Sequence, residues 1–439
     1  MLDTFFRTIK KFIPRELFSA LQPAYHYGLA LLGALIYRFP SKRIFVVAIT
    51  GTKGKTSTVE LVNALLEDAG HKTALSSTLR FKIGDESVNN TYKMTLPGRF
   101  FLQHFLRRAV NAGCEYAVIE MTSEGAKQYR HKFVSLDALI FTNLAPEHIE
   151  SHGSFEAYAA AKLSIAESVA HSAKKRRIIV ANADDRYGEK FLTMDVSEKY
   201  PYSAKDAEPY EIKREGVSFA WKGQRIESRL SGLFNIYNML AAATFAKSVG
   251  VSDELVRKTL GAFGGIPGRM EYITLPPDDI LAKTQDFTVI VDYAHTPDSL
   301  EKVYQVFQNT RKICVLGGTG GGRDTWKRPI MGKIANDYCD HIILTDEDPY
   351  DENPDEIVAE VKSGITSPNV EIKMDRREAI AEALSHTRTG DVVIITGKGT
   401  DPYIMGPGGS KLPWNDARIA REELKRRLAH PPTNSSTRQ

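Results

Sequence analysis

Hydrophobic positions along this chain follow two rhythms. From Phe45 onward, short runs of aliphatic and β-branched residues alternate with stretches whose apolar side chains recur at helical spacing, the pattern of an α/β protein with mainly parallel sheets. Phe45-Val-Val-Ala-Ile49 reads as a buried strand. Val59, Val62, Leu65, Leu66 and Ala69 read as the stripe of a helix that Gly70 closes. Further strands are expected at Tyr116–Met121, Leu136–Thr142 and Arg177–Asn182, a small polar β excursion over Pro201–Arg229, and an alanine-rich helix over Asn238–Ala246. Gly264-Gly-Ile-Pro-Gly268 reads as a hinge. A second α/β series follows it, with strands at Thr288–Val291, Ile313–Leu316, His341–Leu344 and Val392–Thr396. The pattern predicts a central domain over residues 44–265 and a C-terminal, Rossmann-like α/β domain over 266–430, with a frayed polar tail at 431–439.

The first 43 residues break this rhythm. Residues 1–22 read as a short basic helix, with Phe5, Phe6, Ile9, Phe12 and Ile13 recurring near helical spacing, which Pro14 interrupts. After Pro23, Ala24 to Arg38 is apolar for roughly a dozen residues, short of the ~20 that span a bilayer. No signal-peptide cleavage pattern follows. The first reading is a short helical segment packed on the next domain; peripheral contact with an anionic membrane face is the second. Charge sharpens this picture. The 439-residue chain carries a net charge of +4, with seven bases and two acids in residues 1–43, so the rest is nearly balanced. That excludes a nucleic-acid surface. The 42% hydrophobic content suits globular domains, and three cysteines distant in sequence (Cys114, Cys314, Cys339) point to no disulfide framework, no cysteine zinc site and a reducing, cytoplasmic setting.

Between the first strand and helix lies Thr50-Gly-Thr-Lys-Gly-Lys-Thr-Ser57. Gly51 and Gly54 let the backbone curl so that N–H groups face one concavity, to which the helix adds its positive N-terminus. Lys55 can reach β- and γ-phosphates, and the Thr56 hydroxyl can ligate Mg²⁺. Ile49 stands where the general phosphate-loop pattern has glycine. A GTPase, a kinase and a ligase all remain open on this motif alone. Glu120 ends a strand at the carboxyl edge of the sheet, where ligands bind, and Thr142-Asn-Leu-Ala-Pro-Glu-His148 brings His148 to the same edge. His148 and His152 are spaced i, i+4, which raises a zinc hydrolase. The order His-x-Glu-x-His and the helix-ending Gly153 instead favour Mg²⁺ or Mn²⁺ held by oxygens and one imidazole.

Taken together, these motifs resemble the Mur ligases, which use ATP to add amino acids to the cell-wall peptide precursor, over roughly residues 44 to 420. The resemblance implies ATP contacts at Gly51, Thr52, Lys53, Gly54, Lys55, Thr56 and Ser57. It implies adenine at Asn238 of Asn235-Ile-Tyr-Asn238-Met-Leu-Ala-Ala, phosphate at Arg269 of Gly268-Arg-Met-Glu271, and ribose at Asp292 of Asp292-Tyr-Ala-His-Thr-Pro297. Tyr158-Ala-Ala-Ala-Lys162 falls where the family carries a CO₂-carbamylated lysine. The implied ligands for two Mg²⁺ ions are then Thr56, Glu120, His148 and carbamylated Lys162, with Lys55, Glu120, His148 and Lys162 as the catalytic set. On residues alone, Lys162 is an ordinary helix-surface lysine.

Within the family the MurE branch, which adds the third residue to UDP-MurNAc-L-Ala-D-Glu, is most similar. Thr95-Leu-Pro97, Thr122 in Glu120-Met-Thr-Ser-Glu124, and Gln128-Tyr-Arg130 resemble its acceptor contacts. Gly321-Gly-Arg323-Asp-Thr-Trp-Lys-Arg-Pro329, Gly397 and Asp401 of Gly397-Lys-Gly-Thr-Asp401, and Asp348 resemble its amino-acid contacts. Two departures stand out. Forty-odd N-terminal residues are too few for the branch's uridine-gripping domain, which keeps a lipid-linked acceptor open beside a UDP-linked one. Glu347-Asp-Pro-Tyr350 stands where the diaminopimelate motif reads Asp-Asn-Pro-Arg, so Tyr350 supplies no cation for a distal carboxylate, and Asp348 is expected to favour the ammonium of a lysine-like diamine. A folate polyglutamate ligase shares the chemistry but lacks the acceptor stretches. An inactive nucleotide module is the alternative from another class. Gly317-Gly-Thr-Gly-Gly-Gly-Arg323 lacks the dinucleotide spacing of a dehydrogenase.

Overall fold

A computed structural model describes residues 15–92, 94–147, 149–322 and 324–430, with side chains from residue 22 onward. It divides into two compact units. The first comprises the chain to Pro146, His152–Ala207 and Tyr237–Thr259; the second comprises Glu147–Ser151, Glu208–Ile236 and the chain from Leu260.

The first unit is built on eight strands: β1 (Phe45–Thr50), β2 (Thr73–Ser76), β3 (Arg80–Ile83), β4 (Glu86–Asn89), β5 (Tyr116–Glu120), β6 (Ala138–Phe141), β7 (Ile178–Asn182) and β8 (Glu198–Tyr202). Their order is β4-β3-β2-β5-β1-β6-β7-β8. All neighbours are parallel except the β2-β3-β4 meander. The central strands are buried on both faces, which is why they read as unbroken apolar runs. Ile49 pairs with Glu120 and Thr50 with Phe141, so the ends of β1, β5 and β6 form one edge, with sequence-distant strands on either side of β1. That edge is where open α/β sheets bind ligands.

The second unit holds a three-stranded antiparallel sheet, β9 (Tyr210–Lys213), β10 (Gly216–Trp221) and β11 (Gln224–Ser228), in the polar alternating region. It also holds a six-stranded sheet of β12 (Glu271–Tyr272), β13 (Thr288–Asp292), β14 (Lys312–Leu316), β15 (His341–Leu344), β16 (Val370–Ile372) and β17 (Val392–Thr396), ordered β12-β13-β17-β14-β15-β16. Only β12 is antiparallel. One face packs on the helices Pro297–Gln305 and Lys327–Tyr338, the other on Arg376–Ser385 and Asp416–Ala429.

Two expectations change. In the described part of the N-terminal segment, Arg15–Ile36 is one helix that runs through Pro23 rather than stopping before it. Proline inside a helix costs about 3 kcal/mol through its missing N–H. The helix offsets this by docking further along, with Ala30 and Ala34 buried and Gly33 meeting Phe100 and Gln103 of the helix Arg99–Asn111. The stretch before Arg15, with its phenylalanines and Pro14, lies outside the described residues. Second, Cys314 and Cys339 form a disulfide. They are 25 positions apart in sequence, but the helix following β14 returns its C-terminal cap, Cys339, to the same strand. Cysteine usage therefore gives no argument for a reducing compartment. Among the described residues, no helix is long and apolar enough to cross a membrane.

Candidate active site

The turn after β1 is held in shape by the segment after β6. Asn143 accepts from the Thr52 N–H through its carbonyl (2.8 Å) and from the Lys53 N–H through Oδ1 (3.0 Å). Its Nδ2 donates to the Lys53 carbonyl at 3.0 Å, and the Thr142 hydroxyl donates to the same oxygen at 2.7 Å. Two amides expected to face an anion are thus committed to Asn143. What remains to offer an anion is the first turn of the helix Lys55–Asp68, where the Thr56 and Ser57 N–H groups have no intrahelical acceptor. Both glycines are required by close approach. A Cβ on Gly51 would lie 1.9 Å from the Thr142 hydroxyl, and one on Gly54, at φ 81°, would lie 2.2 Å from Asn238 Oδ1. Asn238 therefore reaches the turn, carried by the helix Leu233–Ser248.

Around this turn the expected residues converge. Thr56 Oγ1 donates to Glu120 Oε2 at 3.1 Å, and both are buried. Lys55 Nζ donates to the Gly51 and Thr52 carbonyls at 3.0 and 2.8 Å. Lys162 is not on a helix surface: it is 2% exposed, donates to the Gly51 carbonyl at 2.7 Å and lies 4.7 Å from the centre of the Tyr158 ring. Tyr158 closes the network, its hydroxyl 2.9 Å from Thr52 Oγ1. Neighbouring Thr56 and Glu120 offer hard oxygens, a donor set that fits Mg²⁺. His148 lies outside the described residues. His152 instead shares a hydrogen bond with Ser123 Oγ at 3.2 Å.

A residue missed in the sequence ties two of these groups together. Thr78 gives both its N–H (2.9 Å) and its hydroxyl (3.0 Å) to Glu120 Oε2, and its hydroxyl lies 2.8 Å from Thr95 Oγ1. Its only signal was position, just past β2 at the carboxyl edge. Beside it, Thr122 caps the helix Ser123–Lys127 by accepting from the Gly125 N–H. Gln128 accepts from Arg130 at 2.7 Å and donates to Glu124 at 2.7 Å, and Arg130 also bonds the Leu96 carbonyl. Arg99, also unforeseen, donates to the Gln128 carbonyl at 3.1 Å and meets His26 Nδ1 at 2.5 Å. Burial, then the neighbouring charge of Arg99, pulls the Arg130 guanidinium down from its usual pKa. The charge of Glu124 works the other way on Arg130, raising it.

In the second unit, Asp292 is buried and accepts from the Met270 and Ala294 N–H groups, both at 2.7 Å, while Arg269 stacks 4.1 Å from the Tyr293 ring centre. Near the end of β17, Lys398 is fully buried and donates to Asp348 at 2.7 Å and Asp401 at 3.2 Å. Burial pushes its pKa down, but Asp401 and Asp348 outweigh this and hold it above the usual value. The other Asp348 oxygen accepts from the Met405 N–H at 2.7 Å. Asp348, expected to receive a substrate ammonium, thus already carries one from its own chain. Gly397, at φ 107°, lies against Glu347, whose Oε2 a Cβ would approach to 2.3 Å. Burial raises the Glu347 carboxyl. Arg323 lies outside the described residues.

A glycine turn before a helix N-terminus, with buried lysine and carboxylate at the carboxyl edge of a parallel sheet, defines a nucleotide-dependent enzyme. Residues 49–246 match the Mur ligase middle domain and residues 268–399 the Mur ligase glutamate ligase domain. The chain is 36% identical to a UDP-N-acetylmuramoyl-L-alanyl-D-glutamate–2,6-diaminopimelate ligase of Syntrophomonas wolfei, over 91% of this chain and 82% of that one. It is also 36% identical to a UDP-N-acetylmuramyl-tripeptide synthetase of Roseiflexus, over 92% and 82%. A solved diaminopimelate ligase structure superposes with a TM-score of 0.60 at 26% identity, covering 90% of this chain and 82% of that one. A Mycobacterium tuberculosis folylpolyglutamate synthase with ADP (TM-score 0.65, 16% identity, 84% and 91% covered) shares the fold. This chain belongs to the Mur ligase family. It is an ATP-dependent, ADP-forming acid–amino-acid ligase.

Proposed function

We propose that the chain joins a diamino acid to the carboxylate of a muramoyl-dipeptide precursor in cell-wall synthesis, through an acyl phosphate. The observation that carries this reading is the meeting of Thr56, Glu120 and Thr78 beside a turn against which Lys162 is buried. A carboxylate is a poor acyl donor because it would have to expel oxide. Transfer of the γ-phosphoryl group gives it a leaving group, and Lys55 stabilises the charge that gathers on the transferred oxygens. Thr56, Glu120, His148 and carbamylated Lys162 would hold Mg²⁺, which supplies charge neutralisation at the phosphates. CO₂ on Lys162 would turn a cation into an anion, consistent with a lysine buried beside backbone oxygen and an aromatic ring. Asn238, Arg269 and Asp292 would contact the adenosine and phosphates.

The acceptor's anionic peptide would meet Arg99 and Arg130, with Thr95, Thr122 and Gln128 fixing its orientation. His26 would join this pocket from the N-terminal helix, through its 2.5 Å contact with Arg99. Asp348, Asp401 and Gly397 would frame the incoming amino acid, together with Arg323. Since Asp348 holds Lys398, its support for lysine weakens, and the relatives named for 2,6-diaminopimelate make that amino acid the first expected. Lysine is the second reading, favoured by Tyr350 where a cation would be needed.

ADP release measured with UDP-linked and lipid-linked dipeptides across an amino-acid panel tests the reading. Steady-state release is expected only when acceptor, amine and Mg²⁺ are all present. Glu120→Gln should lower kcat by about 10²-fold or more, as for other groups that organise transition-state charge. Continuous, multiple-turnover ADP release independent of any amine would overturn the proposal.

A further inference from the structure

Away from the active site, three side chains converge at the opposite edge of the six-stranded sheet. His341 is the first residue of β15, Glu371 lies in β16, and His386 caps the C-terminus of the helix Arg376–Ser385. Register explains why two of them share a face. Glu371 is paired with Ile343, and His341 precedes Ile343 by two positions, so their side chains leave the sheet on the same side. Ile343 packs among Ala379, Ile380, Ala383 and Leu384 of that helix, which delivers His386 to the same side. The helix runs back along the sheet, so its C-terminus arrives where the parallel strands begin.

The geometry is convergent. His341 Nε2 lies 2.9 Å and His386 Nε2 3.0 Å from the same oxygen, Glu371 Oε1. The two rings stand 4.2 Å apart, centre to centre, tilted by 46°. The three donor atoms fall within 4.8 Å of one another. A tetrahedral ion about 2.0–2.1 Å from each donor needs them about 3.3 Å apart, an adjustment of a few tenths of an ångström for the two measured contacts. Side-chain exposures of 14%, 35% and 33% leave an entry path from solvent.

We propose that His341, Glu371 and His386 bind one divalent cation of the zinc class at the amino-terminal edge of the C-terminal sheet. Two imidazoles and one carboxylate suit Zn²⁺, Co²⁺ or Ni²⁺ and not Mg²⁺, which takes oxygen. On binding, each imidazole carries its proton on Nδ1 and offers the Nε2 lone pair, while Glu371 supplies the anion. Glu382, whose Oε1 lies 3.5 Å from His386 Nε2, is a carboxylate within reach, and Lys373 balances its other oxygen at 3.1 Å. The nearby cation Arg311 is paired with Asp391 at 2.5 Å, which offsets its repulsion. Burial, followed by repulsion from His386, holds the His341 imidazole below its usual pKa. The bound ion would clamp β15, β16 and the helix together.

The test uses the full chain, stripped with chelator and titrated with Zn²⁺ and with Co²⁺ in excess Mg²⁺. One equivalent should bind to the wild type, raise its Tm, and give Co²⁺ a visible absorption band of low-coordinate type. His386→Ala and Glu371→Gln should each weaken binding about tenfold or more, at least as much as loss of a partner that only orients a ligand, and abolish both the band and the Tm gain. Glu120→Gln should retain them, which separates this site from the Mg²⁺ site. His386 is a partly exposed cap, so its removal leaves the fold intact. Equal Zn²⁺ affinity in wild type and His386→Ala, or no binding by wild type, would overturn the proposal.

Discussion

At the scale of single residues, burial decides much of the chemistry. His131 follows Arg130 in sequence, is 2% exposed, and has neither ring nitrogen hydrogen-bonded among the described residues. Burial, then the charge of Lys132, lowers its pKa to about 3 from the ordinary 6.5. The folded state therefore refuses a proton that the unfolded chain accepts below pH 6.5. Stability is held above that value and lost as pH falls toward 3, at up to roughly 1.4 kcal/mol per pH unit. Equilibrium urea unfolding at several pH values should show this slope in the wild type and a shallower one in His131→Phe. Parallel slopes would mean His131 does not drive it. Residues like this mark the limit of what a sequence discloses. The glycine turn, Lys55, Thr56 and Glu120 were legible because a strand, a turn and a strand end fix where they must lie. Lys162 was readable only through resemblance, because an alanine-rich helix gives no sign of which face is buried. Thr78 had no motif of its own and became visible only once β2 and β5 were neighbours, and Arg99 only once its helix met Gln128 and His26.

At the scale of elements, apolar runs with β-branched residues placed β1, β5, β7, β13, β14, β15 and β17 within a residue or two, since strands buried on both faces have little room for polar residues. The meander β3-β4 and the edge strand β16 escaped notice. They are three or four residues long, β3 and β4 are at least half polar and β16 is only Val-Glu-Ile, so their pairing depends on neighbours rather than on their own pattern. The disulfide between β14 and the cap of Lys327–Tyr338 was illegible for the same reason, being set by the return path of a helix. Closing a loop of 25 residues removes freedom from the unfolded chain worth about 3 kcal/mol. Reduction with a strong thiol should therefore lower the Tm of the second unit's transition. Cys314→Ala with Cys339→Ala should match the reduced wild type. Unchanged melting on full reduction, verified by thiol counting, would contradict this.

For the molecule as a whole, charge is segregated: the first 43 residues are +5 and the remainder close to neutral. The described part of the N-terminal helix buries Ala30 and Ala34 and leaves Tyr25, Leu32, Leu35 and Ile36 exposed. We propose that this basic segment is drawn to the face of an anionic bilayer; among the described residues no helix is long and apolar enough to cross one. The full chain should sediment with vesicles containing phosphatidylglycerol at low salt and stay in solution at high salt, because attraction between surface charges is screened within about a nanometre at 0.1 M. Equal sedimentation with uncharged vesicles would show that charge is not the cause.

The grip of Asn143 on the turn after β1 has a further consequence. With the Thr52 and Lys53 amides already engaged, the receptacle is pinned to the segment after β6 before any guest arrives. Little chain entropy is then surrendered on docking, which favours quick capture of any polyphosphate. Discrimination between a spent nucleotide and a fresh one must fall to the side chains that reach the terminal phosphoryl group, not to folding of the receptacle itself.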